Sequence, residues 1–320
     1  MLVSIKLSFA MLVLAASLLN AAEGQIAASV RVNQDKCEAA RGVNSQSTSA
    51  AAGQDAPIAP AAQYQTLLKE FDGLARGLWG ATTDEDRNNY AERMVKLSPR
   101  FLELAENNPS DPIALDSLVQ VVAQELWLES NTSYAGRGSE SLEDKAIAHL
   151  LKEHIGSAAL GEACRRMSYG FSKECERFLR TVVETSPHRE VQGLACLGLA
   201  QFLNGRLRRL DLIKGQPELA RRYEGLFGKD YLAEIQRKDG VAAIKEVEAI
   251  FVRAVEKFGD LNLPYGGTVG ATADSELNEI RYLSVGMQAP EIEGEDQDGG
   301  RFKLSDYRGK VVLLYFWSEY

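Results

Sequence analysis

Cys164 and Cys175 flank the segment Met167-Ser168-Tyr169-Gly170-Phe171-Ser172, whose composition reads as a turn between two helices. Two sulfurs at similar heights on a helical hairpin can close a structural disulfide in an oxidising compartment or pack as buried thiols, and both alternatives stand. Closing so short a loop would contribute roughly 2–3 kcal/mol. Cys196 lies among Gly193, Ala195, Gly198 and Ala200 and reads as packing, while Cys37 sits in a polar N-terminal stretch with no evident partner. His149 and His154 are five residues apart, whereas a zinc pair on one helix face needs a spacing of four. His149 and Glu153 have that spacing but no third ligand, so both read as solvated helix residues and no metal is expected. His188 lies near a helix start with no nucleophile pattern around it. The acidic group Glu291, Glu293, Glu295, Asp296 and Asp298 fails as a calcium loop. With Gly299 at the loop glycine, Gly294 and Ser305 fall where carboxylates are required. Arg206, Arg208 and Arg209, like Arg221 and Arg222, read as solvated helix faces. The glycines from Gly266 to Gly270 lack the Lys-Ser/Thr ending of a phosphate loop.

The elements that position these residues follow from composition and period. The chain has 320 residues, 45% hydrophobic and 25% charged, with 36 Lys+Arg against 45 Asp+Glu for a net charge of -9. That length suits about two domains, and the acidic balance argues against a nucleic-acid surface, which needs Lys and Arg to displace counterions. The N-terminus carries Lys6, an apolar run from Leu7 to Leu19 and a small-residue exit at Ala21-Ala22-Glu23-Gly24. This is the layout of a secretory signal peptide over 1–24, and the run is shorter than the ~20 residues of a membrane span. An uncleaved N-terminal anchor is the alternative. The protein is expected to be exported, to the periplasm or another extracytoplasmic space. Residues 25–60, rich in Ala, Ser, Gln and Gly, read as a flexible leader.

From Ala61 to Gly259 the apolar spacing is helical, as in Tyr64, Leu67, Leu68, Phe71 and Leu74, or Val191, Leu194, Ala195, Leu199 and Phe202. Asp111-Pro112 and Ser186-Pro187 each place a capping side chain before a proline at a helix start. Further helices are expected near 85–107, 141–155, 173–185, 218–236 and 241–258. A faint internal echo, Phe101-Leu102 leading to Asp111-Pro112 and Phe178-Leu179 leading to Ser186-Pro187, together with Phe251, Ala254 and Phe258 placed as in the second helix of a tetratricopeptide unit, leaves either a helical-hairpin array or an irregular bundle over 61–259. Residues 260–283, with Pro264, Gly266, Gly267 and Gly270, read as a linker that ends in a short helix from Asp274 to Tyr282.

From Val285 the period becomes extended. Asp298-Gly299-Gly300 is a turn signal before Arg301-Phe302-Lys303-Leu304, Ser305 can cap the turn Asp306-Tyr307-Arg308, and Gly309 ends it. Val311-Val312-Leu313-Leu314-Tyr315-Phe316-Trp317 is apolar on both faces, as in an interior strand covered on both sides. The string from Val285 to Trp317 resembles the opening of the redoxin group, thioredoxin-like domains of the TlpA and AhpC/TSA type. The resemblance rests on Gly286, Ala289 and Pro290, then Asp296, Asp298 and Gly299, then Leu304 to Lys310, then Val311 to Trp317, and covers residues 284–320 alone.

The resemblance implies a mainly α chain in which the helical domain is followed by the N-terminal portion of an α/β thioredoxin-like fold over 284–320. In TlpA-like members this strand runs into a C-x-x-C, so Phe316, Trp317, Ser318, Glu319 and Tyr320 are expected to flank the active site, with Tyr320 where such members often carry Trp. No C-x-x-C lies within the 320 residues, so they hold no catalytic residue and are expected to be inactive, the cysteines following Tyr320 in a longer protein. The implied chemistry is thiol-disulfide exchange, with a disulfide substrate, a thiol electron donor and no further cofactor. A peroxiredoxin is the sister option, although Trp317-Ser318-Glu319-Tyr320 lacks the Pro and Thr that usually lead to its cysteine. A non-enzymatic helical interaction protein with a degenerate redoxin remnant is the rival of another class. In either case the helical domain is available to a protein partner.

Overall fold

The computed structural model describes residues 58–131, 141–284, 286–295 and 300–314. The expected signal peptide, the leader as far as residue 57, and Cys37 lie outside them. The chain is mainly α. Helices α1 (Pro60–Gly80), α2 (Asp84–Val95), α3 (Ser98–Asn107), α4 (Pro112–Asn131), α5 (Leu142–Glu153), α6 (Gly161–Met167), α7 (Lys173–Thr185) and α8 (Arg189–Gly215) follow one another. After them come α9 (Pro217–Phe227), α10 (Lys229–Gln236), α11 (Gly240–Phe258) and α12 (Val269–Tyr282), then strands β1 (Glu293–Glu295) and β2 (Arg301–Lys303). None of the described helices is long and apolar enough to cross a membrane.

Local chemistry sets most of the boundaries. The Asp111 carboxylate accepts the Ile113 amide at 2.9 Å beside Pro112, and the Ser172 hydroxyl accepts the Cys175 amide at 3.2 Å, so α4 and α7 begin where a side chain satisfies an orphan donor. The region read as one helix over 85–107 is two, because Pro99 has no amide to donate and restarts the chain as α3. Likewise the stretch 218–236 breaks at Gly228, whose φ of +86° no helical residue adopts. The helix after Ser186-Pro187 begins later than expected: His188 is the N-cap residue, and the Ser186 hydroxyl accepts the His188 amide at 3.4 Å.

Successive helices pair, α3 on α4, α7 on α8 and α11 on α12, while the long α8 also packs on α6 and α11. One continuous core runs through them, in which Phe101, Phe178, Phe202 and Phe251 are fully buried. Phe251, Ala254 and Phe258, the positions that suggested a repeat unit, all face it. Helix α12 corrects the expected linker at 260–283. It starts at Val269, not Asp274, with Val269, Ala273 and Leu277 in the main core. The Pro264–Gly267 stretch is a tight connection, closed by Val269 N donating to the Leu261 carbonyl at 2.9 Å and Leu263 N to the Gly267 carbonyl at 3.0 Å.

All three histidines belong to the corner where α5 ends and α8 begins. The His149 ring nitrogens stand 3.6 Å from Glu106 and 3.7 Å from Glu153, and His188 Nε2 lies 3.0 Å from the Gly156 carbonyl. Burial holds the His154 imidazole below its ordinary pKa, outweighing the opposing pull of Glu153, and its Nε2 has no hydrogen-bond partner. A depressed histidine contributes stability above its unfolded pKa of about 6.5 and loses it as pH falls through the lower folded value. His154→Gln is therefore expected to shrink the drop in urea midpoint between about pH 7 and pH 5; an unchanged drop would assign it to other groups.

Candidate functional site

The segment with the most specific sequence signal is the C-terminal hairpin. β1 and β2 pair antiparallel in the register Glu293↔Lys303, Gly294↔Phe302 and Glu295↔Arg301. Cross-strand charges face each other, Lys303 Nζ lying 2.5 Å from Glu293 Oε1 and Arg301 Nε 3.4 Å from Glu295 Oε1. Leu304 N donates to the Ile292 carbonyl at 2.9 Å, and Ser305 N to Glu291 Oε1 at 2.9 Å. The Ser305 bonds hold the Glu291 carboxyl below the usual carboxylate range. The acidic group is thus engaged in the hairpin at its described members, while Asp296 and Asp298 lie outside the described residues.

After β2 the chain turns through a short 3-10 helix, Leu304–Tyr307. Asp306, not Ser305, caps it, accepting the Lys303 amide at 2.9 Å, because the third position of the turn reaches back to its start. Gly309, with φ +81°, ends the turn. Then come Val311 to Leu314. Val311 and Leu313 are exposed at 103% and 90%, while Val312 and Leu314, at 41% and 48%, border an apolar groove with Ile292, Phe302, Leu304 and Tyr307. That alternation is the side-chain period of an extended strand. The sequence-based expectation of an interior strand is not met at 311–314, which carry no strand pairing among the described residues. A strand apolar on both faces is stable only with neighbours on its ladder and layers on its faces, and the two-stranded sheet supplies neither. The expected flanking residues Phe316, Trp317, Ser318, Glu319 and Tyr320 lie outside the described residues.

The cysteines of the helical body occupy a different setting. Cys164, on α6, and Cys175, in the first turn of α7, flank the turn the sequence indicates, and both are buried thiols, the second of the two alternatives left open above. Cys175 Sγ donates to Glu143 Oε1 at 2.9 Å, and the Ser172 hydroxyl donates to the same oxygen at 3.1 Å. Burial pushes the Cys164 thiol far above its ordinary range and the Cys196 thiol up to about 11. Since the thiolate is the nucleophile in disulfide exchange, burial disfavours the reactive form of Cys164 and Cys196. No group of three or more His, Cys, Asp or Glu among the described residues could hold a metal ion.

One constellation escaped the sequence reading. Arg206 is not a solvated residue: its side chain is 7% exposed and paired with Glu176, and its guanidinium lies 5.4 Å from the Phe202 ring centroid. Arg209 is half-buried, donating to the carbonyls of Gly170 at 2.9 Å and Tyr169 at 2.8 Å. The available signal was position on the helix, since Arg206 falls one turn beyond Phe202 and Leu203, on the buried stripe of α8.

Compared with known proteins, residues 285–320 match the sequence model of the AhpC/TSA family. The match coincides with the hairpin, the 3-10 turn and the apolar run, and supports a redoxin character for this segment, with thiol or disulfide partners in general. No curated protein and no solved structure matches the chain.

Proposed function

We propose that the chain is the helical arm and opening segment of an exported thiol-disulfide oxidoreductase of the TlpA-like redoxin type, whose C-x-x-C follows Tyr320. The observation that carries this reading is the AhpC/TSA match over 285–320. The exposure of Val311 to Leu314 supports it, because further strands and helices of a thioredoxin-like domain would cover that run.

The chemistry proceeds in balanced steps. The first cysteine, its pKa lowered at a helix N-terminus, attacks one sulfur of a substrate disulfide as thiolate. The other substrate sulfur leaves as thiolate and takes a proton. The second cysteine then displaces the substrate from the mixed disulfide, leaving the reduced substrate and an oxidised C-x-x-C that a thiol donor reduces again. Trp317 and Tyr320 would border the sulfurs and shape the face presented to the substrate. In this reading the helical body binds a protein partner or shields the site.

The extended gene product is expected to reduce insulin disulfides in a dithiothreitol-coupled turbidity assay, and a double Cys→Ser change in its C-x-x-C to abolish the activity. Absence of reduction would favour a helical interaction protein with a degenerate redoxin segment. Peroxide-dependent thiol consumption without insulin reduction would favour a peroxidase.

A further inference from the structure

We propose that α9 and α10 form a lid that opens as a unit, and that this lid holds the α6–α7 loop down over Cys175, a buried member of the main core. The two short helices, joined at Gly228, build a second core from Phe171, Leu210, Ile213, Leu232 and Ile235, and none of these residues belongs to the core that runs through the other helices. Leu210 and Ile213 are the last turns of α8, so Phe171 is the one member contributed by the α6–α7 loop. Its ring lies 4.8 Å from those of Tyr223 and Phe227 and 6.2 Å from that of Tyr231, all on the lid, with the Arg209 guanidinium 5.8 Å from its centroid.

The backbone of this loop is strapped from two sides. The Tyr231 hydroxyl donates to the Phe171 carbonyl at 2.8 Å from the lid, and Arg209 donates to the Gly170 and Tyr169 carbonyls from α8. Gly170 in turn lies directly on the buried sulfur: a Cβ at this position would stand 2.7 Å from Cys175 Sγ. A contiguous chain of contacts therefore runs from the lid aromatics to Phe171, from Phe171 to Gly170, and from Gly170 to the thiol. A satellite core with few buried side chains opens at lower free energy than the main core. Helices of 11 and 8 residues have little stability apart from tertiary packing, so the pair leaves and returns together.

Native-state hydrogen exchange and peptide-resolved iodoacetamide labelling of the full chain test the proposal. Amides of 218–236 are expected to exchange about tenfold or more faster than those of 191–203. Cys175 should be alkylated while Cys164 and Cys196 stay protected. Tyr231→Phe removes one hydroxyl and keeps the ring, and should raise the Cys175 rate severalfold with the other two unchanged. Exchange of α9 and α10 in step with α8 would overturn the lid. Labelling of the three thiols at one common rate, or a Cys175 rate indifferent to Tyr231→Phe, would overturn its hold on the loop.

Discussion

Glu176→Ala is expected to lower the unfolding free energy by about 3 kcal/mol, the lower end of the cost of removing one partner from a buried ion pair. Glu176, at 16% side-chain exposure, accepts from Arg180 Nε at 2.9 Å and Nη2 at 2.8 Å on its own helix and from Arg206 on α8. Arg180 continues to Glu246 of α11 at 2.5 Å. Burial pushes the Glu176 carboxyl up, but the Arg206 and Arg180 guanidinia outweigh it and hold the group below the usual carboxylate range. Its contribution is therefore present above the unfolded carboxylate pKa and lost as pH falls through the folded value. Alanine would leave Arg206 charged, 7% exposed and without its carboxylate. The double variant Glu176→Leu with Arg206→Met should recover most of the loss, since apolar replacement of both partners removes the stranded charge. Urea unfolding at neutral pH measures both variants, and a loss under about 1 kcal/mol for Glu176→Ala would reduce the pair to an ordinary surface bridge.

Gly270→Val should cost a comparable amount, about 3 kcal/mol, by forcing α11 and α12 apart. A Cβ at Gly270 would lie 2.9 Å from both Cα and O of Gly259, the residue that ends α11, and backbone atoms cannot rotate away as a side chain can. The same crossing carries the Gly270 N to Gly259 O hydrogen bond at 3.2 Å. Helix α12 leads to the hairpin segment, so the variant should also release protection from exchange along 269–282. Wild-type stability in Gly270→Ala, which adds the Cβ alone, would contradict the close approach.

Legibility from sequence followed the locality of each signal. Helix periods and caps such as Asp111-Pro112 were readable because a few neighbouring residues decide them. The hairpin and the turn ending at Gly309 were readable for the same reason. Arg206 was not, because its burial depends on Glu176, thirty residues away on another helix. The 260–283 stretch read as a linker from its Pro and Gly, yet those residues make the tight connection that lets α12 fold back onto α11 and join the main core. Val311 to Leu314 have the composition of an interior strand, and composition alone could not say whether a ladder partner stands beside them.

Sequencing the DNA immediately beyond the Tyr320 codon decides whether a C-x-x-C continues the apolar run. A cysteine is expected as the next residue, with a second cysteine three positions later at the start of a helical segment. A stop codon at that point, or a continuing frame with no Cys-x-x-Cys directly after Tyr320, would contradict it.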